Sequence, residues 1–158
     1  MSDRWTFLMA FLTVVLIGAG AFAIPQFFPF ELLKSLIYLI IALLVFFGED
    51  RFSYMLGMTA VPLWFILDIL LGDFFHDWAI LFGALSGKPS SSFDTPFHGL
   101  SLLAEAALFV LCARAWRKQV SEKFFGKTFG ACLLISLIYV GVLGGVYFHS
   151  VAGIVRGR

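Results

Sequence analysis

The sequence predicts an all-α fold, a small multi-pass bundle of about five transmembrane helices, with four or six crossings left open. Composition is the first reason, because 61% of the residues are hydrophobic and 13% are charged, whereas soluble domains carry about a quarter charged residues. Length is the second, because one crossing needs about 20 residues, so 158 residues accommodate a single bundle and no sizeable soluble domain. Each apolar run is expected to be a helix, since backbone polar groups in lipid must be satisfied within the segment.

Five long apolar runs locate the predicted spans within a single domain, residues 1–158. The first run ends in Ala21-Phe22-Ala23, a pattern that signal peptidase cleaves. Its apolar region, roughly 18 residues, exceeds the roughly 7 to 15 residues usual in a signal sequence, so we expect a retained anchor. The predicted spans are residues 5–24, 35–48, 54–72, 99–113 and 129–149.

Two long connections join the last three spans. Residues 73–98 form a loop that contains a short apolar segment, residues 77–85, which is too short to cross the membrane but apolar enough to lie at its interface. If this segment enters the membrane as a sixth crossing, the downstream half keeps its orientation and the N-terminus changes side. Residues 114–128 form a basic loop.

Lysine and arginine residues collect in that basic loop, and short cytoplasmic loops hold such an excess. We therefore expect a cytoplasmic N-terminus, a C-terminus outside, and Lys34 in the outer loop after the first span. Arg4 and Arg51 join the five basic residues of the loop, so seven of the eleven lie inside. The expected location is a bacterial inner (plasma) membrane. The five loop residues are Arg114, Arg117, Lys118, Lys123 and Lys127.

The lipid bilayer is the partner that the composition implies. A net charge of +1 lacks the electrostatic footprint of nucleic-acid binding, so that class is excluded. Other membrane subunits are a second candidate partner, because Gly141 and Gly145 form a Gly-x-x-x-Gly pair that lets helices approach closely. We favour packing of this glycine face inside the bundle over dimerisation.

Ionisable residues interrupt the apolar pattern around the third and fourth spans. Asp68 and Glu105 lie within the spans, where a carboxylate costs about 2.5 to 3.5 kcal/mol on insertion scales. Both are therefore expected to face the interior at the outer half of the bundle, with His76 or His98 within reach of one of them. The remaining members are ordinary solvated loop residues if each is considered alone. The full set is Asp68, Asp73, His76, Asp77, Asp94, His98 and Glu105.

Three chemistries suit this set of residues: binding of a divalent metal, proton relay through a buried acid pair, and a polar pocket for the head of an amphiphile. The histidines and aspartates His76, Asp77, Asp73 and His98 are candidate ligands of a divalent metal, the only cofactor that the sequence suggests. Catalytic candidates are Glu105, Asp68, His98 and His76, although no motif such as His-Glu-x-x-His supports an enzyme.

The leading hypothesis is a small membrane binding or accessory subunit with an outward-facing acidic pocket for an ion or an amphiphile. The alternative is an intramembrane enzyme that acts on a lipid or an isoprenoid. A proton or ion pathway ranks last, because it would require polar groups on the inner half of the bundle as well, and there the first and last spans offer little beyond Thr13, Ser136 and Tyr139.

Overall fold

The computed structural model describes residues 4–23, 28–87, 96–121 and 123–156, and it confirms the predicted all-α bundle. Five of its helices are long and apolar enough to cross a membrane, which identifies an integral membrane protein. The helices are α1 (Arg4–Ala23), α2 (Phe28–Phe46), α3 (Asp50–Leu71), α4 (Asp73–Leu85), α5 (Pro96–Gln119) and α6 (Lys127–Arg156), of which α4 is the short one.

The helix bounds differ from the predicted spans at two informative places. Helix α2 begins at Phe28, seven residues before the predicted start, so Lys34 lies inside the helix and not in a loop. Helix α5 continues to Gln119, so the predicted basic loop is helical at its beginning. In both cases the charged residues at a helix end lower the local hydropathy, and hydropathy alone places the boundary too far inside the helix. The apolar segment 77–85 belongs to α4.

Glycine and proline set the ends of several helices. Gly48 and Gly72 adopt positive φ angles of 81° and 87°, a left-handed conformation that glycine enters at little cost and that ends α2 and α3. Pro96 is the first residue of α5, where its missing N–H has no helical partner to lose. The turn at Gly72 leads directly into α4, so the short helix begins next to the end of α3.

The long helices alternate in direction, which gives the bundle two chemically different ends. The acidic end is where α1 and α3 finish and where α2 and α5 begin, and it carries Glu31, Asp68 and Glu105 together with α4. The basic end is where α2 and α5 finish and where α3 and α6 begin. Its basic residues are Arg4, Arg51, Arg114, Arg117, Lys118, Lys123 and Lys127.

Helix α3 lies at the centre of the bundle and packs against α2, α5 and α6, while α1 packs against α2 and α5. The main core lies between these helices and includes Tyr38, Tyr54, Met55 and Leu108. Helices α3 and α5 approach each other closely at Gly57, where an added Cβ would stand 2.5 Å from Cys112 Sγ. Close packing of these buried apolar side chains holds the described helices together.

The predicted packing of the Gly-x-x-x-Gly face is wrong. Gly141 and Gly145 are exposed, and a Cβ added at either would meet no atom within 4 Å. Helix α6 instead turns Cys132, Ser136 and Leu143 toward the bundle, and the glycines lie on its outer surface. The sequence pattern identifies a helix face that permits close approach, but it does not say which face meets a neighbour.

Candidate functional site

A buried lysine stands at the centre of the acidic end. Lys34 of α2 is 6% exposed, and its Nζ lies 3.8 Å from Asp68 Oδ2 of α3 and 3.7 Å from Glu105 Oε1 of α5. Asp68 and Glu105 are 4% and 0% exposed. We call these three residues the charged triad. One ammonium therefore joins two carboxylates from three different helices.

Trp64 of α3 packs against Lys34 of the charged triad. Its ring centroid lies 4.2 Å from Lys34 Nζ, which is the geometry of a cation–π contact. Trp64 is itself buried and lies one helical turn before Asp68, so the same face of α3 presents both groups to the lysine. The ammonium is thus held by a ring face as well as by two carboxylates.

The carboxylates of the triad have unfilled hydrogen-bonding capacity. Within the part of the chain that the structure describes, both oxygens of Glu105 and Oδ2 of Asp68 are buried without a hydrogen-bond donor. The Tyr38 hydroxyl approaches Glu105, but no donor among these residues meets a Glu105 oxygen at hydrogen-bonding geometry. Buried carboxylates are costly unless they are both paired and hydrogen-bonded, so these acids have room for a further cation or proton.

A second pair, Glu31 and His98, adjoins the triad. His98 Nε2 lies 3.4 Å from Glu31 Oε1, and Glu31 sits one turn before Lys34 on the same side of α2. Gly20 of α1 makes room for the imidazole, because a Cβ there would lie 2.9 Å from His98 Cε1. The absence of a side chain at position 20 thus lets His98 fit between α1 and α2.

Helix α4 carries two further acids beside the triad. Burial is the main cause that raises the pKa of both Asp73 and Asp77 above their ordinary values. The charge of Lys34 lowers the pKa of both aspartates, and the charge of His98 lowers the pKa of Asp77. His76 lies on the same helix, is exposed, and interacts electrostatically with Asp73. The acidic end therefore has a rim that becomes more negative as these groups ionise.

The structure brings some of the predicted site residues together and separates others. Asp68 and Glu105 share Lys34, whereas His98 contacts Glu31. His76 stays at the rim, and Asp94 falls outside the described residues.

Among the described residues, the predicted metal ligands His76, Asp77, Asp73 and His98 do not form a metal-binding group. Within the described ranges, no group of three or more His, Cys, Asp or Glu side chains is placed to hold a metal ion. The Lys34 ammonium lies 3.8 Å from Asp68 Oδ2 and 3.7 Å from Glu105 Oε1, and at a given position it repels a divalent ion twice as strongly as a monovalent one.

Sequence reasoning missed Glu31 and Lys34. Both lie outside the hydropathy-defined span, which places Lys34 in the outer loop and does not single out Glu31. A usable signal was present in Phe28–Phe46, where the two charges are three residues apart and therefore share a helix face. An opposite-charge pair on one face at a span end is consistent with a buried cluster, although it does not identify the partners.

Comparison with protein-family models, with curated proteins and with solved structures finds no match to this chain. Function is therefore inferred from the geometry of the charged triad, the Glu31–His98 pair and the two ends of the bundle.

Proposed function

We propose that the protein is a small integral membrane binding or accessory subunit that holds a cation at its acidic end. The observation that carries this proposal is the charged triad, in which two buried carboxylates share one ammonium and three carboxylate oxygens have no donor among the described residues. The ligand is a small monovalent ion or the cationic head of an amphiphile.

The charge balance of the acidic end supports a positively charged ligand. Glu31, Asp68 and Glu105 are buried against Lys34 and His98, and the rim adds two more aspartates. Among these described side chains, the five acids therefore outnumber the two bases even when His98 is protonated. A cation that enters from the rim would offset the excess negative charge in a medium where water screens it poorly.

The distribution of basic residues supports an orientation for this site. Seven basic residues lie at the opposite end of the bundle, which by the positive-inside rule belongs in the cytoplasm. We place the protein in a bacterial inner (plasma) membrane with its acidic end outward. A cysteine introduced at Phe75, which is exposed on α4, should react with a membrane-impermeant thiol reagent in intact cells. A cysteine introduced at Lys118 should be shielded, and the reverse labelling would overturn the orientation.

Glu105→Gln tests the site with the least disturbance, because it removes one negative charge and leaves the Lys34–Asp68 pair in place. The measurement is the melting temperature in neutral detergent on titration with sodium, potassium or dodecylammonium. We expect at least one of these cations to raise the melting temperature of the wild type and to lose most of that effect in the variant.

Glu49→Gln is the matched control, because Glu49 is an exposed acid at the basic end. This variant should respond to the cations as the wild type does. Equal responses in all three proteins would refute the proposed site, since they would show that the cations act on the detergent or on the surface at large.

The Glu31–His98 pair favours the enzyme alternative as a second candidate function. A carboxylate beside an imidazole can orient the ring for proton transfer, and lipid or isoprenoid substrates are accessible to a site within the membrane. This alternative predicts turnover of membrane lipids by purified protein that His98→Gln abolishes and Glu49→Gln leaves intact. The binding proposal predicts no turnover by either the wild type or the variants.

A further inference from the structure

The basic end contains an open pocket of about 500 Å³ that the proposed function does not use. Three basic side chains from two separate parts of the chain line it: Arg51 near the start of α3, Lys123 in the connection, and Lys127 at the start of α6. Phe52 and Thr128 also contribute to its lining. Glu49 and Asp50 precede Arg51 in the chain but do not line the pocket.

The pocket lies at the level where the bundle would meet lipid headgroups. Asp50 and Lys127 are the first residues of two candidate membrane spans, so the pocket sits at the end of both. Phe125, in the same connection as Lys123, is 80% exposed. The basic side chains of the pocket can contact the polar headgroup of a lipid. The exposed aromatic side chain at the span end can contact the apolar part of the same lipid.

We propose that this pocket binds the phosphate of an anionic phospholipid in the leaflet at the basic end. The three cations repel one another, and Lys127 adds its charge to the positive end of the α6 helix dipole. A phosphate among them relieves this repulsion and accepts their hydrogen bonds. The position at the span ends favours a lipid as the source of the phosphate over a free anion, because the bilayer supplies such groups at that depth.

Two triple variants with equal charge removal test the pocket. The pocket variant is Arg51→Gln with Lys123→Gln and Lys127→Gln, and the control is Arg114→Gln with Arg117→Gln and Lys118→Gln, three exposed residues of the same end that do not line the pocket. The measurement is the dissociation constant of short-chain phosphatidylglycerol in neutral detergent, by native mass spectrometry, with phosphatidylcholine as the comparison lipid.

We expect the wild type to prefer phosphatidylglycerol, and the pocket variant to bind it about tenfold more weakly or worse. The control variant should stay within about twofold of the wild type, since exposed charges contribute little to a specific site. Equal losses in the two variants would overturn the proposal, because general attraction to anionic lipid would then explain the binding. Displacement of the lipid by inorganic phosphate at equal concentration would also overturn it in favour of a soluble anion.

A conservative variant separates loss of the site from loss of the fold. Lys123→Arg with Lys127→Arg keeps the charges and should retain binding within about threefold of the wild type. A failure of this variant to bind, with a melting temperature equal to that of the wild type, would contradict recognition of a phosphate by charge.

Discussion

Two buried polar groups in this bundle differ in how completely their hydrogen-bonding capacity is met. Between α3 and α6, the Thr59 and Ser136 hydroxyl oxygens lie 2.9 Å apart, and backbone carbonyls on α3 are also within reach of Thr59. Among α2, α3 and α5, the charged triad joins Lys34, Asp68 and Glu105, and three of its carboxylate oxygens have no donor. The first group is neutral and satisfied, and the second is charged and incomplete.

The difference indicates two different reasons for polar residues in the core. A satisfied hydroxyl pair connects two helices at little cost, and such contacts in membrane proteins average about 0.6 kcal/mol. A buried ion cluster lowers stability relative to apolar packing of the same volume unless all of its groups are satisfied. The hydroxyl pair therefore has a structural explanation, whereas the packing alone does not account for the triad, and the cation proposed above would.

Lys34→Met should give the largest effect, because it leaves Asp68 and Glu105 buried without their shared cation. We expect a loss of about 3 to 5 kcal/mol in the free energy of unfolding, measured by titration with a denaturing detergent. Lys118→Met is the control, because Lys118 is exposed at the basic end and should change stability by less than about 0.5 kcal/mol. A small loss for Lys34→Met would show that the two acids do not depend on the lysine.

Replacing the whole triad should reverse the sign of that effect. Lys34→Met combined with Asp68→Leu and Glu105→Leu is expected to match the wild type or to exceed it by about 1 to 4 kcal/mol in the same titration. This protein should also lose the response to cations. A strongly destabilised triple variant would mean that the triad is needed for folding. The triad and the hydroxyl pair would then both have a structural role.

Thr59→Val should have a smaller effect, since valine keeps the shape of threonine and removes only the hydroxyl. The expected loss is about 0.6 kcal/mol and not above about 1.7 kcal/mol. A larger loss would place the hydroxyl pair in the same energetic class as the triad.

Asp77→Asn addresses the pH dependence of the rim. Burial raises the pKa of Asp77, so the folded protein holds this proton more tightly than the unfolded chain does. Its contribution to stability is therefore fullest below its ordinary pKa of 3.8 and is lost as the pH rises through the raised value. The asparagine variant should show a flatter decline of melting temperature over that window. An unchanged profile would assign the pH dependence to other acids.

Gly145→Leu should have the smallest effect on the monomer. The glycine lies on the outer surface of α6 with no atom within 4 Å of an added Cβ, so the new side chain faces open space. The melting temperature of the monomer should stay within about 2 °C of the wild-type value. Loss of a dimer at constant monomer stability, measured by cross-linking in membranes, would show that this face joins two copies.

The helical bundle could be predicted from the long apolar runs of the sequence. The interior position of its two central acids could be predicted because a carboxylate in an apolar run normally faces the bundle interior or water. Asp68 and Glu105 could therefore be assigned to the interior from local information. Lys34 could not be assigned to the interior, because a lysine near a span end can extend its ammonium to the surface. The sequence around Lys34 does not exclude that conformation. The contact between His98 and Glu31 depends on how α1, α2 and α5 pack, which no local pattern specifies.

The glycine at position 57 has a consequence for the acidic end. Its contact with the Cys112 side chain sets the separation of α3 and α5 near the basic end, and the same two helices carry Asp68 and Glu105 toward the other end. Position 57 lies 11 residues from Asp68, about 16 Å along the helix. A methyl group added at position 57 would overlap Cys112 Sγ, so Cys112 or the two helices would have to shift, and the same two helices carry the two carboxylates that this group never touches.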